Sequence, residues 1–564
     1  MNTLGEKRDI VPIWRPAYEA AKSPELLPIK DRMPVQSAEP KTEQVLIDFL
    51  KDQNLGTAAD LLNASLLEGD VARSVIAAQY IYDSSEQLPA LQAISRRVLG
   101  LEAVDASVTV VTEIGMLRSR LAQNPQNPLG WVDLARAYTV INEKSKSEKA
   151  MWVALRYANN HRWIARMAAR LFVHFDELGK AHRVLLKNEN VKSDPWLLST
   201  ELAVSRLAER PLRYWNQAKK LVDSNILPVH LSELSSSIAT SEILNGADKK
   251  ARAFFKKSLI APNSNSLAQL KWADRSYKLG FAQQIENTLA HTSSAHEAKY
   301  WEAYEKGHMW LALGHAHAWW LEEPYSASPP QAITYVASLV NDMQLLSRTA
   351  ERGLKANPGD TTLKLNYLFS QLYGIGYEAE FARDNLEKVT RVLRTVMHGD
   401  DKNEAAHAVA NVGMLAYRIG QPELGKEYYE QAELYYEKSK NTAQLFLLLN
   451  HLRESLIAGS PWAEELRDKI KSKLGQPKSI SSVAAEFYLK QIQNLEGQSG
   501  TWKEKFALPF VSNDATLVGS HESGKKSSSL ESLAMRFWLP SDFVTANQAL
   551  QKLKDDMIFN ENKK

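Results

Sequence analysis

The sequence predicts an all-α protein, a superhelix of stacked helix hairpins with a proline-rich extended N-terminal arm and a small C-terminal helical cap. Three observations predict it. At 564 residues the chain is too long for one compact core, so it must divide into domains or extend as a repeat array. Alternating runs of Val, Ile and Thr are scarce and only 25 residues are Gly, which leaves little material for strands and their turns. The third observation is the stretch 409–436, VANVGMLAYRIGQPELGKEYYEQAELYY, which reads as two helices joined by a Gly420-Gln421-Pro422 turn. Gly413 and Gly425 stand twelve residues apart, Tyr429 follows four later, and Ala432 three after that. Small residues at the two helix faces allow a close crossing, and the aromatic fills the space beside it. One such hairpin cannot bury its apolar side alone and must stack on copies of itself.

Residues 1–42 form the arm. They carry Pro12, Pro16, Pro24, Pro28, Pro34 and Pro40. Proline fixes φ and biases the preceding residue toward extended conformations, so one short helix near 17–22 is the most that is expected. Apolar residues such as Ile10, Val11 and Leu26 suit packing along the protein's own helices. Trp14 and Tyr18 are the candidate anchors if the arm docks on a partner instead.

Residues 43–122 form an N-terminal helical region. Thr42 suits an N-cap, and Val45, Phe49 and Leu50, then Val71, Val75 and Ala78, recur at helical spacing. The β-branched run at 104–117 reads as a buried helix, with a strand as the alternative. Residues 123–460 form the array. Ala169 and Ala181 are twelve apart, with Leu185 in the aromatic's place. Ala239 and Ala251 repeat the spacing, followed by Phe255 and Ser258. Turn-rich connections interrupt the array at 244–250, 321–331 and 397–404, and the second of these marks a break between sub-arrays. Residues 461–564 form the cap: two helices to 497, a flexible Gly/Ser/Lys loop at 498–530, and two closing helices.

The recurring pattern resembles the tetratricopeptide repeat (TPR) family, whose unit is 34 residues. Val412 before Gly413, Gly420 closing the first helix, Pro358 in RTAERGLKANPGD, and Trp131, Leu134 and Tyr138 in NPLGWVDLARAY all suit it. The resemblance covers roughly 125–460 and is irregular. It implies a TPR-like α-solenoid whose concave face, lined by the first helix of each unit, binds extended peptides. Carried over position by position, the lining residues are Arg136, then Arg166, Arg170 and His174. Asp274, Tyr277 and Lys278 follow, then Tyr417 and Arg418. The early units are basic there, and paired guanidinium hydrogen bonds suit carboxylates. An acidic peptide or a partner's C-terminus is the expected ligand of 130–175. The competing reading is that these arginines bridge neighbouring helices.

Other motifs carry less. Gly519 to Lys526, GSHESGKK, nearly spells a phosphate loop, but Lys526 stands where magnesium chemistry needs Ser or Thr. His308, His315 and His317 lack the four-residue spacing of helical metal ligands. Acidic pairs such as Glu322-Glu323 fall at turns or on exposed faces. The 14 Trp and 20 Tyr lie mostly at helical spacing, where they fill gaps between stacked helices. No catalytic constellation is recognisable, and neither a cofactor nor a metal is expected.

Composition narrows the class further. With 69 Lys plus Arg against 66 Asp plus Glu, the chain has no global electrostatic case for nucleic acid, and protein partners are expected. There is no Cys, which excludes disulfides and thiolate chemistry. No apolar stretch reads as a signal peptide or membrane span, so a cytoplasmic, bacterial protein is expected. The expected function is that of a protein–protein interaction scaffold, adaptor or regulatory subunit. The alternatives are a peptide- or ligand-responsive sensor controlling a separate effector, and a helical-repeat nucleic-acid binder. The last requires a continuous basic stripe.

Overall fold

The computed structural model describes residues 42–496, apart from 69–70, 85–88, 99–105, 293, 374–395, 397–401, 419, 439–443 and 475–479. The arm with Trp14 and Tyr18, the 498–530 loop and the two closing helices lie outside the described residues. Every regular element among the described residues is a helix, so the fold is all-α and solenoid-like. The run at 104–117 falls mainly in a helix, not a strand.

The chain divides into two compact units. The N-terminal unit comprises the described residues up to Glu302 together with Gly314–Ser326, and the C-terminal unit comprises Ala303–Leu313 and the described residues from Ala327 onward.

The N-terminal unit opens with α1 (Thr42–Lys51), α2 (Leu55–Glu68), α3 (Val71–Asp83), α4 (Pro89–Val98) and α5 (Ala106–Gln123). Hairpins follow: α6 (Pro128–Val140) with α7 (Lys144–Tyr157), and α8 (Arg162–His174) with α9 (Leu178–Lys187). Next come α10 (Pro195–Leu207) with α11 (Trp215–Val222), and α12 (Pro228–Leu244) with α13 (Asp248–Ser258). Then α14 (Ser264–Tyr277) pairs with α15 (Ala282–Ala290), and the next two helices, α16 (His296–Glu305) and α17 (Met309–Glu322), each carry residues of both units. The C-terminal unit continues with α18 (Ser328–Leu339), α19 (Met343–Ala356), α20 (Thr361–Tyr373), α21 (Lys402–Arg418) and α22 (Pro422–Lys438). It closes with α23 (Gln444–Ala458), α24 (Ala463–Leu474) and α25 (Ile480–Glu496).

First helices begin at 128, 162, 195, 228, 264, 296, 328 and 361, so a hairpin recurs every 32–36 residues. The next two steps are longer, to 402 and 444, and the step from 444 to 480 is again 36 residues.

Local chemistry explains this regularity. Asn127 and Asp194 cap α6 and α10, each accepting two backbone N–H bonds, and Pro128 and Pro195 follow at the first helical position. Asn263 and Ser266 form a reciprocal capping box on α14. Within hairpins the turn passes through a left-handed residue. It is Asn142, Asp176, Glu209, Gly246, Asn341 or Gly420 in six of them.

First helices pack side by side, α6 on α8, α8 on α10, α10 on α12 and α12 on α14. They are buried on nearly every side. In α10 all residues from Pro195 to Ser205 are buried, and in α12 all from His230 to Ile243. Second helices bury one stripe only, as Ala251, Phe255 and Ser258 do in α13. In the C-terminal unit α18 also touches α25, and Tyr335 of α18 meets Phe446 of α23 edge-on at 5.5 Å. In that unit, therefore, first helices several repeats apart touch one another.

Candidate functional site

Buried polar side chains join successive first helices one repeat apart. Arg162 at the start of α8 pairs with Asp194, the cap of α10. Ser199 of α10 bonds Ser237 of α12 at 2.7 Å, and Thr240 of α12 donates to Gln269 of α14 at 2.8 Å. Lys271 of α14 pairs with Glu302 of α16 at 2.5 Å. In the C-terminal unit Asn366 donates to Thr334 at 2.9 Å, and Arg418 pairs with Glu454 at 2.7 Å. An unmet buried polar group costs about 1–3 kcal/mol, so this ladder fixes the register of the stack.

The sequence-derived residues fall in three places. Arg136, Arg166, Arg170 and His174 lie on α6 and α8 within the N-terminal unit. Arg166 is fully buried, pairs with Glu233 of α12 at 2.7 Å, and stacks its guanidinium over Trp196 at 5.2 Å. Glu233 also accepts from Ser199 and Asn263, so its charge is held by three partners. Arg166 is thus a strut between first helices two repeats apart.

Arg136, Arg170 and His174 meet a different partner, the chain's own segment after α17. Arg136 donates to the Glu322 carbonyl at 3.4 Å. Arg170 lies 3.4 Å from the Glu323 carboxylate and donates to the Ser326 hydroxyl at 3.3 Å. His174 takes the Tyr325 ring edge-on at 5.0 Å. Glu323, Tyr325 and Ser326 are all buried, while Leu321 beside them is half exposed. Glu323 therefore differs from the expectation of an exposed turn residue: Glu323, Tyr325 and Ser326 all turn inward onto a basic face.

Asp274, Tyr277 and Lys278 lie at the C-terminal end of α14. Asp274 accepts the Phe281 N–H at 2.8 Å, and Lys278 adopts the left-handed conformation that ends the helix. Tyr277 is exposed and packs against Trp272. Tyr417 and Arg418 belong to the core of the C-terminal unit and are fully buried. Tyr417 bonds His451 at 2.9 Å and accepts from Trp462 at 2.9 Å.

The histidines do not converge. His308 precedes α17 and is exposed, whereas His315 is buried beside His296 at 5.7 Å between ring centres. Burial, helped by His296 and Lys299, lowers the His315 pKa to about 3. Among the described residues no three potential ligands gather as a metal site. A small pocket in the C-terminal unit, lined by Asn366, His407, Asn411 and Asn450 among others, admits little more than a water molecule.

Sequence reasoning found the basic residues of α6 and α8 but missed Glu233, Glu323 and Tyr325. Glu233 sits in a Ser-rich helix with no apolar stripe, and Glu323 lies in a turn 153 positions from Arg170. No protein-family model matches the chain, and no curated protein matches it in sequence. No helix among the described residues is long and apolar enough to cross a membrane.

Proposed function

We propose that the protein is a TPR-like interaction scaffold, acting as an adaptor or regulatory subunit that holds a segment of a partner protein against its first helices. The hairpin period of 32–36 residues from α6 to α20 supports the family resemblance. Stacked repeats of this kind present extended surfaces and act by binding.

One observation carries the reading. The face made by Arg136, Arg170 and His174 already accommodates an acidic, aromatic segment, Glu322 to Ser326, through a carboxylate, a hydroxyl, a carbonyl and a ring contact. A partner segment of the same chemistry, a carboxylate followed two residues later by an aromatic, fits the same groups. Arg166 contributes by bracing α8 against α12.

The test is affinity capture of the tagged protein from its host at moderate salt after nuclease treatment, with mass spectrometry of what is retained. A protein retained in stoichiometric amount by the native chain, and lost on Arg170→Gln in a chain that remains folded, supports the reading. Retention of no protein overturns it.

A further inference from the structure

The net charge of +3 conceals a strong segregation within the N-terminal unit. The second helices α7, α9, α11 and α13 carry four, three, two and five lysines or arginines respectively. Against these fourteen cations stand only two acidic residues, Glu148 and Asp248. The first helices of the same hairpins are nearly balanced, with five arginines against four acidic residues. Each second helix buries one stripe and turns the rest outward, so the excess lies on the outside of the unit.

The cations form one continuous face. Lys180 of α9 reaches Glu148 of α7 at 2.9 Å, Gln217 of α11 donates to the Lys192 carbonyl just beyond α9, and Lys257 of α13 pairs with Asp223 at the end of α11. These bonds set the four helices in order across the surface. Most of the positive charge is left over. Lys149, Arg156, Arg183, Lys187, Lys250 and Arg252 are exposed and make no ion pair among the described residues.

We infer that this outer face of α7, α9, α11 and α13 binds a nucleic-acid strand through its phosphates, without reading its sequence. A polyanion is the partner that unpaired, like-signed charges on successive helices call for. Lysine predominates, which gives point charges on flexible stems and suits a repeating backbone better than a defined carboxylate fork. Trp152 is 42% exposed, and Lys149 and Arg156 flank it on the same helix face, three residues before and four after. An exposed ring between two cations offers a base a stacking surface beside its phosphates. An anionic membrane fits less well, because beyond α7 the exposed large apolar residues of these hairpins are Leu227, Leu244 and Ile260, scattered singly and too few for insertion across four helices.

The face is separate from the one proposed to hold a protein segment, and its test is independent. The full chain is titrated against a fluorescently labelled 30-nucleotide single strand of mixed sequence, by anisotropy, at two salt concentrations. The expected result is binding that weakens about a hundredfold between roughly 50 and 200 mM salt, as release from about five phosphates requires. Lys249→Glu/Lys250→Glu/Arg252→Glu/Lys256→Glu on α13 should weaken binding at least tenfold. Lys149→Glu/Arg156→Glu on α7 should do the same by itself, which covers the case of either variant failing to fold. Lys471→Glu/Lys473→Glu on α24 should leave affinity unchanged. Absence of binding at the lower salt, equal affinity for both outer-face variants and the native chain, or tighter association with phosphatidylglycerol vesicles than with the strand would each overturn the inference.

Discussion

Gly413 and Gly425 touch backbone to backbone. A Cβ on Gly413 would stand 3.1 Å from the Gly425 carbonyl oxygen, and one on Gly425 would stand 3.0 Å from that of Gly413. The two glycines that sit twelve residues apart in the sequence are therefore the point where α21 and α22 cross. A Cβ on Gly425 would also fall 2.4 Å from Cδ2 of Tyr417, a ring fixed by His451 and Trp462. Gly425→Ala should destabilise the protein by about 2–3 kcal/mol, as overpacking a well-filled crossing does. Gly314→Ala in α17 meets nothing within 4 Å among the described residues and should be neutral or stabilising by up to about 1 kcal/mol. Thermal unfolding of the two variants checks the contrast.

Arg418, Arg453 and Glu454 are fully buried together in the C-terminal unit. Glu454 takes Arg418 at 2.7 Å and Arg453 at 2.8 Å, and Arg453 also donates to the Tyr488 hydroxyl at 2.8 Å. Removing the carboxylate leaves two guanidinium groups in a dry interior without it. Glu454→Ala should cost about 3–5 kcal/mol. Chemical denaturation of the variant should show that loss, and a change below 1 kcal/mol would mean that water reaches the cluster.

Glu201 is a buried carboxylate with an incomplete shell. Its Oε1 accepts from Ser205 at 2.8 Å and lies 3.5 Å from His182, but its Oε2 has no hydrogen-bond partner among the described residues. Burial raises its pKa above the usual carboxylate value, and burial likewise lowers that of His182, so the neighbour is neutral at pH 7. A raised carboxyl pKa means that stability is fullest below the unfolded value near 4.5 and falls as pH rises through the folded one. Glu201→Gln should therefore stabilise the protein by about 1 kcal/mol at pH 7 and by nothing near pH 4. Unfolding curves at the two pH values test it.

His451 gives the opposite pH dependence. Its ring lies flat on Tyr429 at 4.6 Å, and burial, with Lys426 and Lys469 nearby, lowers its pKa to about 3. The unfolded chain binds a proton near pH 6.5 that the folded chain refuses until about pH 3. Stability should be full above pH 6.5 and decline as pH falls across that window. His407 and His315 are shifted in the same direction by burial and should add to the decline. In His451→Gln the melting temperature should fall less between pH 7 and pH 5 than in the native chain.

Much of the fold was legible because helix spacing, caps and prolines are local. Gly413 with Gly425, and Ala239 with Ala251, announced their hairpins directly. Gly420 was legible as a turn, whereas Asn142, Asp176 and Glu209 were hidden, since none of them is the glycine that a left-handed turn position favours. The basic character of α6 and α8 was also visible. Its satisfaction was not, because Arg166 finds Glu233 and Arg170 finds Glu323 across 67 and 153 residues. The outer basic face escaped for a different reason. Net charge averages over the whole chain, and only the pairing of first with second helices sorts the cations onto one side.

The most direct test of the scaffold reading is hydrogen–deuterium exchange of the captured complex against the free protein. The account predicts that peptides covering α6 and α8 change protection on complex formation, and that residues 321–326 exchange faster as the partner's segment takes their place. A captured partner that protects only the second helices, or leaves both α6 and α8 and the 321–326 segment unchanged, would contradict it.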